Sequence, residues 1–156
     1  MTISHVHPEY KMYEKFRPEI DEGFCVKVYD PDTITVVSKL GTKKWRFSIR
    51  LVGIDAPEIR SKSETERQCA LDGRDYLSNM ILGKHIYMEN LGTDKYGRVL
   101  CNIYLTKNSN LSINDLLIYE GYARAYDGGH KEEWEDYFKN NELYKTRVSK
   151  KLRTTV

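Results

Sequence analysis

The chain has 156 residues, 40% of them hydrophobic and 31% charged, with a net charge of +2. That length fits one domain whose core needs no disulfides, and the balance excludes a disordered chain. No apolar run approaches the ~20 residues that span a bilayer, and the N-terminal MTISHVHPEYKMYEKF lacks the apolar stretch of a secretory signal.

Residues 1–21 have no clear period and read as an arm. A domain over 22–148 follows, and 149–156 form a basic tail. From residue 24 the pattern is strand-like. FCVKVYD (24–30) leads into the turn DPDT (30–33), where Pro31 presets φ. TITVVS (33–38) is a second strand, and LGTKK (40–44) a hairpin turn around Gly41. In the third strand Trp45, Phe47, Ile49 and Leu51 alternate with Arg46, Ser48 and Arg50. Strand side chains alternate between faces, so the first set is expected on the core and Arg50 away from it.

ETERQCALDGRDYLSNMIL (64–82) reads as a helix with Ser63 as its N-cap and Gly83 as its stop. Gly73 weakens that helix. Residues 84–92 form a fourth strand, TDKYGR (93–98) a turn, and VLCNIYL (99–105) a fifth strand with Val99, Cys101, Ile103 and Leu105 on one face. A short helix starts from Ser112. A last helix over 131–147 carries Trp134, Tyr137 and Phe138 as its packing stripe. The order predicts an α+β, mainly β fold: a five-stranded OB-type Greek-key barrel with about three helices packed against it.

Cys25, Cys69 and Cys101 are odd in number and widely spaced, with no CxxC pair. They are expected to be buried free thiols, which points to a reducing, intracellular and most simply cytoplasmic location. Lys145, Arg147, Lys150, Lys151 and Arg153 make the C-terminal end basic. That end reads as a solvated helix end and tail, or as a non-specific contact to nucleic-acid phosphates.

Five polar residues fall at predicted strand ends: Asp32, Arg50, Asp55, Glu58 and Arg98. Hard cations such as Ca²⁺ take carboxylate and carbonyl oxygens. Guanidinium groups grip phosphate oxygens bidentately. A carboxylate left over from the metal can orient or deprotonate water. Together these parts suit phosphodiester hydrolysis.

RLVGIDAPE (50–58) and DKYGR (94–98), with DPDT upstream and NDLLIYEGYARAY (114–126) downstream, resemble the staphylococcal-nuclease-like (thermonuclease) family. The resemblance runs over about residues 22–145. It implies a calcium-dependent nuclease acting on DNA, RNA or both. Asp32 and Asp55 are then similar to the metal-binding carboxylates, and Ala56 to the residue that offers a backbone carbonyl. Glu58 resembles the water activator, and Arg50 and Arg98 the pair that grips the scissile phosphate. Lys95 and Tyr96 fall where family members touch a neighbouring phosphate. Tyr126 matches a tyrosine of the nucleotide pocket, with Tyr122 competing for that place.

Two departures stand out. Pro31 replaces the usual glycine of the first turn and cannot take φ > 0, so backbone and cation affinity beside Asp32 are expected to differ. The loop IRSKSE (59–64) is short and basic. A monomer away from membranes is expected. The alternative function is an inactive OB-fold nucleic-acid-binding or scaffold module. A peptide-binding reading would need an aromatic cage, which the sequence does not assemble.

Overall fold

The computed structural model describes residues 9–141 and Tyr144. Strands β1 (Glu22–Asp30), β2 (Thr33–Leu40) and β3 (Lys43–Leu51) form a meander. A two-residue strand β4 (Ile54–Asp55) precedes helix α1 (Glu64–Ile81). Strands β5 (His85–Thr93) and β6 (Val99–Tyr104) follow, then α2 (Ile113–Tyr119), β7 (Arg124–Ala125) and α3 (Trp134–Asn140). The large sheet closes on itself in the order β1-β2-β3-β6-β5. The closing pair β3–β6 is parallel, with Arg50 opposite Leu100. This is the expected OB-type barrel with its helix between the third and fourth long strands.

Local chemistry explains the element ends. Ser63 Oγ accepts from Glu66 N at 3.2 Å and starts α1. Ser112 caps α2 in the same way, accepting from Asp115 N at 3.0 Å. Gly83 takes φ 73° just past α1, a conformation that penalises residues with a Cβ. The barrel interior is filled by Cys25, Ile34, Val36, Ile49, Leu51 and Ile103, all fully buried. Helix α1 adds Leu77 and Ile81 to that core. Asn114 at the start of α2 is buried and tied three ways. Its Oδ1 accepts from Ile103 N at 3.0 Å, and its Nδ2 donates to the Val52 and Cys101 carbonyls at 2.9 and 3.0 Å. A second cluster joins Cys69 of α1 to Trp134, Phe138 and Tyr144.

Several expectations change. Trp45 is half exposed, because its part of the β2–β3 hairpin projects with Lys43, Lys44 and Arg46, all exposed. The buried alternation of β3 therefore begins only at Ile49. Leu105 lies beyond the end of β6 and is exposed. The last helix starts at Trp134, three residues later than predicted, and 131–133 run in non-helical backbone. Its predicted end, and the basic residues Lys145, Arg147, Lys150, Lys151 and Arg153, lie outside the described residues. The three cysteines are free and buried as expected. Burial pushes the Cys25 thiol up to about 11 and the Cys101 thiol to about 12.

Gly73 has a packing reason. A Cβ there would come within 2.7 Å of Pro31 Cγ, so the glycine lets α1 close onto the β1–β2 turn. No described non-glycine residue has positive φ, so the turn accommodates Pro31 without strain at Asp32. At the other end of the barrel the chain before β1 is anchored. Ile20 is buried in the core, and the Pro18 carbonyl accepts from Asn90 Nδ2 at 2.6 Å.

Candidate active site

The β1–β2 turn and the end of β3 meet through Asp32. Its Oδ2 accepts from Ala56 N at 3.0 Å, and its backbone carbonyl accepts from Leu51 N at 2.9 Å. Arg50 Nη2 stands 3.5 Å from the same carboxylate. The Arg50 guanidinium also donates to the Leu51 and Ile54 carbonyls, at 2.6 and 2.9 Å. Arg50 therefore lies off the core face, as its place in the alternation requires, and is braced along the barrel rim.

Asp30 belongs to this group, although sequence reasoning treated it only as a turn residue. Its Oδ1 accepts from Ile59 N at 3.2 Å. Burial raises its carboxyl to about 6, and the neighbouring Asp32 and Glu58 carboxylates raise it further against the Ile59 bond and Arg50. The DPD triplet, two carboxylates flanking a proline, was the available signal. Glu58 is exposed. The fold uses its backbone: its N–H donates to Glu66 Oε2 at 2.8 Å and its carbonyl accepts from Ser61 N.

Asp55 turns the other way. The β4–β7 pair sets it opposite Arg124. Arg124 Nε and Nη2 lie 3.1 and 3.0 Å from Asp55 Oδ2, and Lys131 Nζ lies 3.0 Å from Oδ1. Arg124 is itself buried, with its guanidinium 4.0 Å over the Trp134 ring. Neither cation was singled out from sequence, because the contacts span 69 and 76 positions along the chain.

The remaining predicted residues share one open groove of about 730 Å³. Arg50, Lys95, Tyr96 and Arg98 line one part of it, and Tyr126 and Lys131 another. Arg98 Nε donates to Asp94 Oδ2 at 2.6 Å, and Asp94 Oδ1 accepts from the Tyr96 and Arg98 amides, both at 2.9 Å. Burial alone would raise the Asp94 carboxyl, but these bonds outweigh it and hold it below the usual range. The Arg98 and Lys95 cations stand 5.5 and 5.1 Å over the exposed Tyr96 ring. Tyr126 faces the groove, whereas Tyr122 stacks on Tyr76 at 4.2 Å, which decides between the two tyrosines as groove residues.

The donor chemistry of Asp32, Asp55 and the Ala56 carbonyl fits a hard, oxygen-seeking cation. The crowding of Asp30, Asp32 and Glu58 leaves negative charge for one to neutralise. Among the described residues, no group of three or more His, Cys, Asp or Glu side chains converges closely enough to hold a metal. Asp55 in particular is held by Arg124 and Lys131.

A family model described as staphylococcal nuclease homologue matches residues 48–151. The chain is 31% identical over 111 residues to protein ParB of Escherichia coli, covering 67% of this chain and 56% of ParB. It is 31% identical over 114 residues to the probable endonuclease LCL3 of Kluyveromyces lactis, covering 69% of this chain and 40% of that protein. Against an uncharacterized endonuclease of Haemophilus influenzae it is 35% identical over 101 residues, covering 65% and 50%. The chain thus spans about half the length of the curated relatives it matches. The family match begins inside β3 and takes in the whole groove, while the DPD turn lies upstream of it. With well over half of its length matched, the chain belongs to the staphylococcal nuclease homologue family.

Proposed function

We propose that this protein is a nuclease that hydrolyses phosphodiester bonds of DNA, RNA or both with the help of one calcium ion. The observation that carries the reading is the groove itself. Two arginines from separate strands, Arg50 and Arg98, line one groove with Lys95 and two tyrosines, next to the acidic DPD turn. A cationic wall with aromatic faces suits a nucleic-acid strand. Family membership and the endonuclease names of two of these relatives support the same chemistry.

In this reading Asp32, Asp55 and the Ala56 carbonyl hold the cation, which supplies charge neutralisation at the phosphate. Arg50 and Arg98 bind the non-bridging phosphate oxygens and stabilise the charge that builds on them. Glu58, exposed at the rim, orients a water and accepts its proton as the new P–O bond forms and the P–O bond to the leaving nucleotide breaks. Lys95 and Tyr96 hold a neighbouring phosphate, and Tyr126 lines the nucleotide pocket. The buried free thiols fit a reducing compartment.

The test is a cleavage assay on single- and double-stranded DNA and RNA, with calcium and with excess chelator. Cleavage that requires calcium is expected. Full activity in chelator would remove the cation from the reading. Binding without cleavage would favour the inactive OB-fold module.

A further inference from the structure

The two cations on Asp55 are held very differently. Arg124 is buried, stacks 4.0 Å over Trp134, and donates through Nη2 to the Glu132 carbonyl at 2.6 Å as well as to Asp55. Lys131 sits on the non-helical stretch before α3 with its side chain 43% exposed. Its ammonium touches Asp55 Oδ1 at 3.0 Å and lies 4.6 Å over the Tyr126 ring. Lys131 lines the groove, and it also lines the small cleft of about 190 Å³ that Asp55 shares with Glu58. Arginine is a rigid fork fixed by its partners, whereas lysine is a point charge on a flexible stem. One oxygen of Asp55 is thus fastened from within the fold. The other is covered only by a movable cation at the mouth of the cleft.

A divalent cation that uses Asp55 as a ligand must reach a carboxylate oxygen. Oδ2 faces the buried guanidinium, so Oδ1 is the reachable one, and Lys131 occupies it. Two cations cannot both stay at bonding distance from one oxygen, because their repulsion grows as 1/r and the site is shielded from water. We infer that Lys131 is a built-in competitor for the divalent cation: it holds Asp55 Oδ1 while the cation is absent and leaves it when the cation binds. This rests on the proposed cation site at Asp32 and Asp55. Lys131 is therefore a residue that sets cation affinity, and it acts through Asp55.

The experiment measures calcium binding by titration calorimetry on the full chain, with Lys131→Met, Lys95→Met and Asp32→Asn beside the parent. Lys131→Met is expected to bind calcium about fivefold more tightly, the upper end of what a partly exposed ion pair withholds. Lys95→Met removes the same charge from the groove without touching Asp55, and should bind as the parent does. Labelling of the parent with an amine-reactive reagent gives a second readout that needs no variant to fold. Modification of Lys131, read by mass spectrometry, should rise when calcium is added, and that of Lys95 should not. If Lys131→Met binds calcium no more tightly than the parent, or if calcium leaves Lys131 labelling unchanged, the competition is overturned. Asp32→Asn separates the two readings. It should lose calcium binding, and parent-like binding by that variant would overturn the cation site itself.

Discussion

The fastening centred on Asn114 and the rim centred on Glu58 use polar side chains in opposite ways. Asn114 is 1% exposed and spends its amide on three backbone groups from β6 and the end of β3. Glu58 is exposed, and the fold uses its backbone. A saturated buried amide holds elements in register and has little capacity left for a ligand. An exposed carboxylate beside two others costs the fold little and keeps its lone pairs for a ligand or a proton. The difference separates residues that build the barrel from residues that would do its chemistry, and substitutions at the two places should fail in different ways.

The largest effect is expected at the rim. Glu58→Gln keeps the shape and removes the charge. As water activator, Glu58 should contribute at least about a hundredfold to the rate. Its contribution to stability should stay within about 0.5 kcal/mol, as for most surface positions. Single-turnover cleavage, nucleic-acid binding and denaturant unfolding measure the three quantities. Cleavage at the parent rate would return Glu58 to an ordinary surface residue and move the binding-module reading ahead.

The fastening should break in the opposite sense. Asn114→Ala leaves the Ile103 amide and two carbonyls unpaired in the interior. Each unsatisfied buried group costs about 1–3 kcal/mol, so the loss should be about 3 kcal/mol or more in denaturant unfolding. The fraction still folded should cleave at close to the parent rate. A rate loss without a stability loss would erase the division between the two regions.

The barrel was legible in the sequence because its signals are local. Alternation marks the strands, and Ser63 and Ser112 cap helices three residues downstream. The arginines and carboxylates of the rim were legible for the same reason, since each ends a strand. What was not legible depends on distant pairing. The β4–β7 pair is two residues long on each side, too short to show a period, yet it brings Arg124 against Asp55. Trp45 fits the alternation, but only the assembled hairpin reveals that its stretch projects from the barrel. Gly73 read as a flaw in α1 until the fold placed Pro31 against it.

That last contact gives a smaller effect lying between the two regions. Gly73→Ala gains about 1 kcal/mol of helix propensity. It also places a methyl group 2.7 Å from a proline ring in the turn that carries Asp32. Overpacking of this kind costs about 1–3 kcal/mol, so a net loss of about 1 kcal/mol is expected. With Pro31→Gly already present, the same change should become neutral or stabilising. A double-mutant cycle by denaturant unfolding measures this coupling. Additivity would mean that helix and turn do not press on each other.

The smallest effect belongs to Asp94, which fastens a rim residue. Its carboxylate accepts from Tyr96 N, Arg98 N and Arg98 Nε, and these bonds hold it below the usual carboxylate range. A carboxylate with a depressed folded value contributes stability above its unfolded pKa of about 3.9 and loses it as pH falls through the folded value. Asp94→Asn should therefore cost less than about 1 kcal/mol at pH 7, since the pair with Arg98 is partly exposed. The gap to the parent should narrow once the pH drops below about 4. Substrate binding should weaken as well, because Arg98 loses the partner that aims it along the groove. Unfolding curves from pH 3 to 7 read the first effect, and oligonucleotide titrations at pH 7 read the second. A stability gap that is the same at both ends of that range would mean that shape, and not charge, is what Asp94 contributes. Binding unchanged by the substitution would mean that Arg98 is oriented by its stacking on Tyr96 alone.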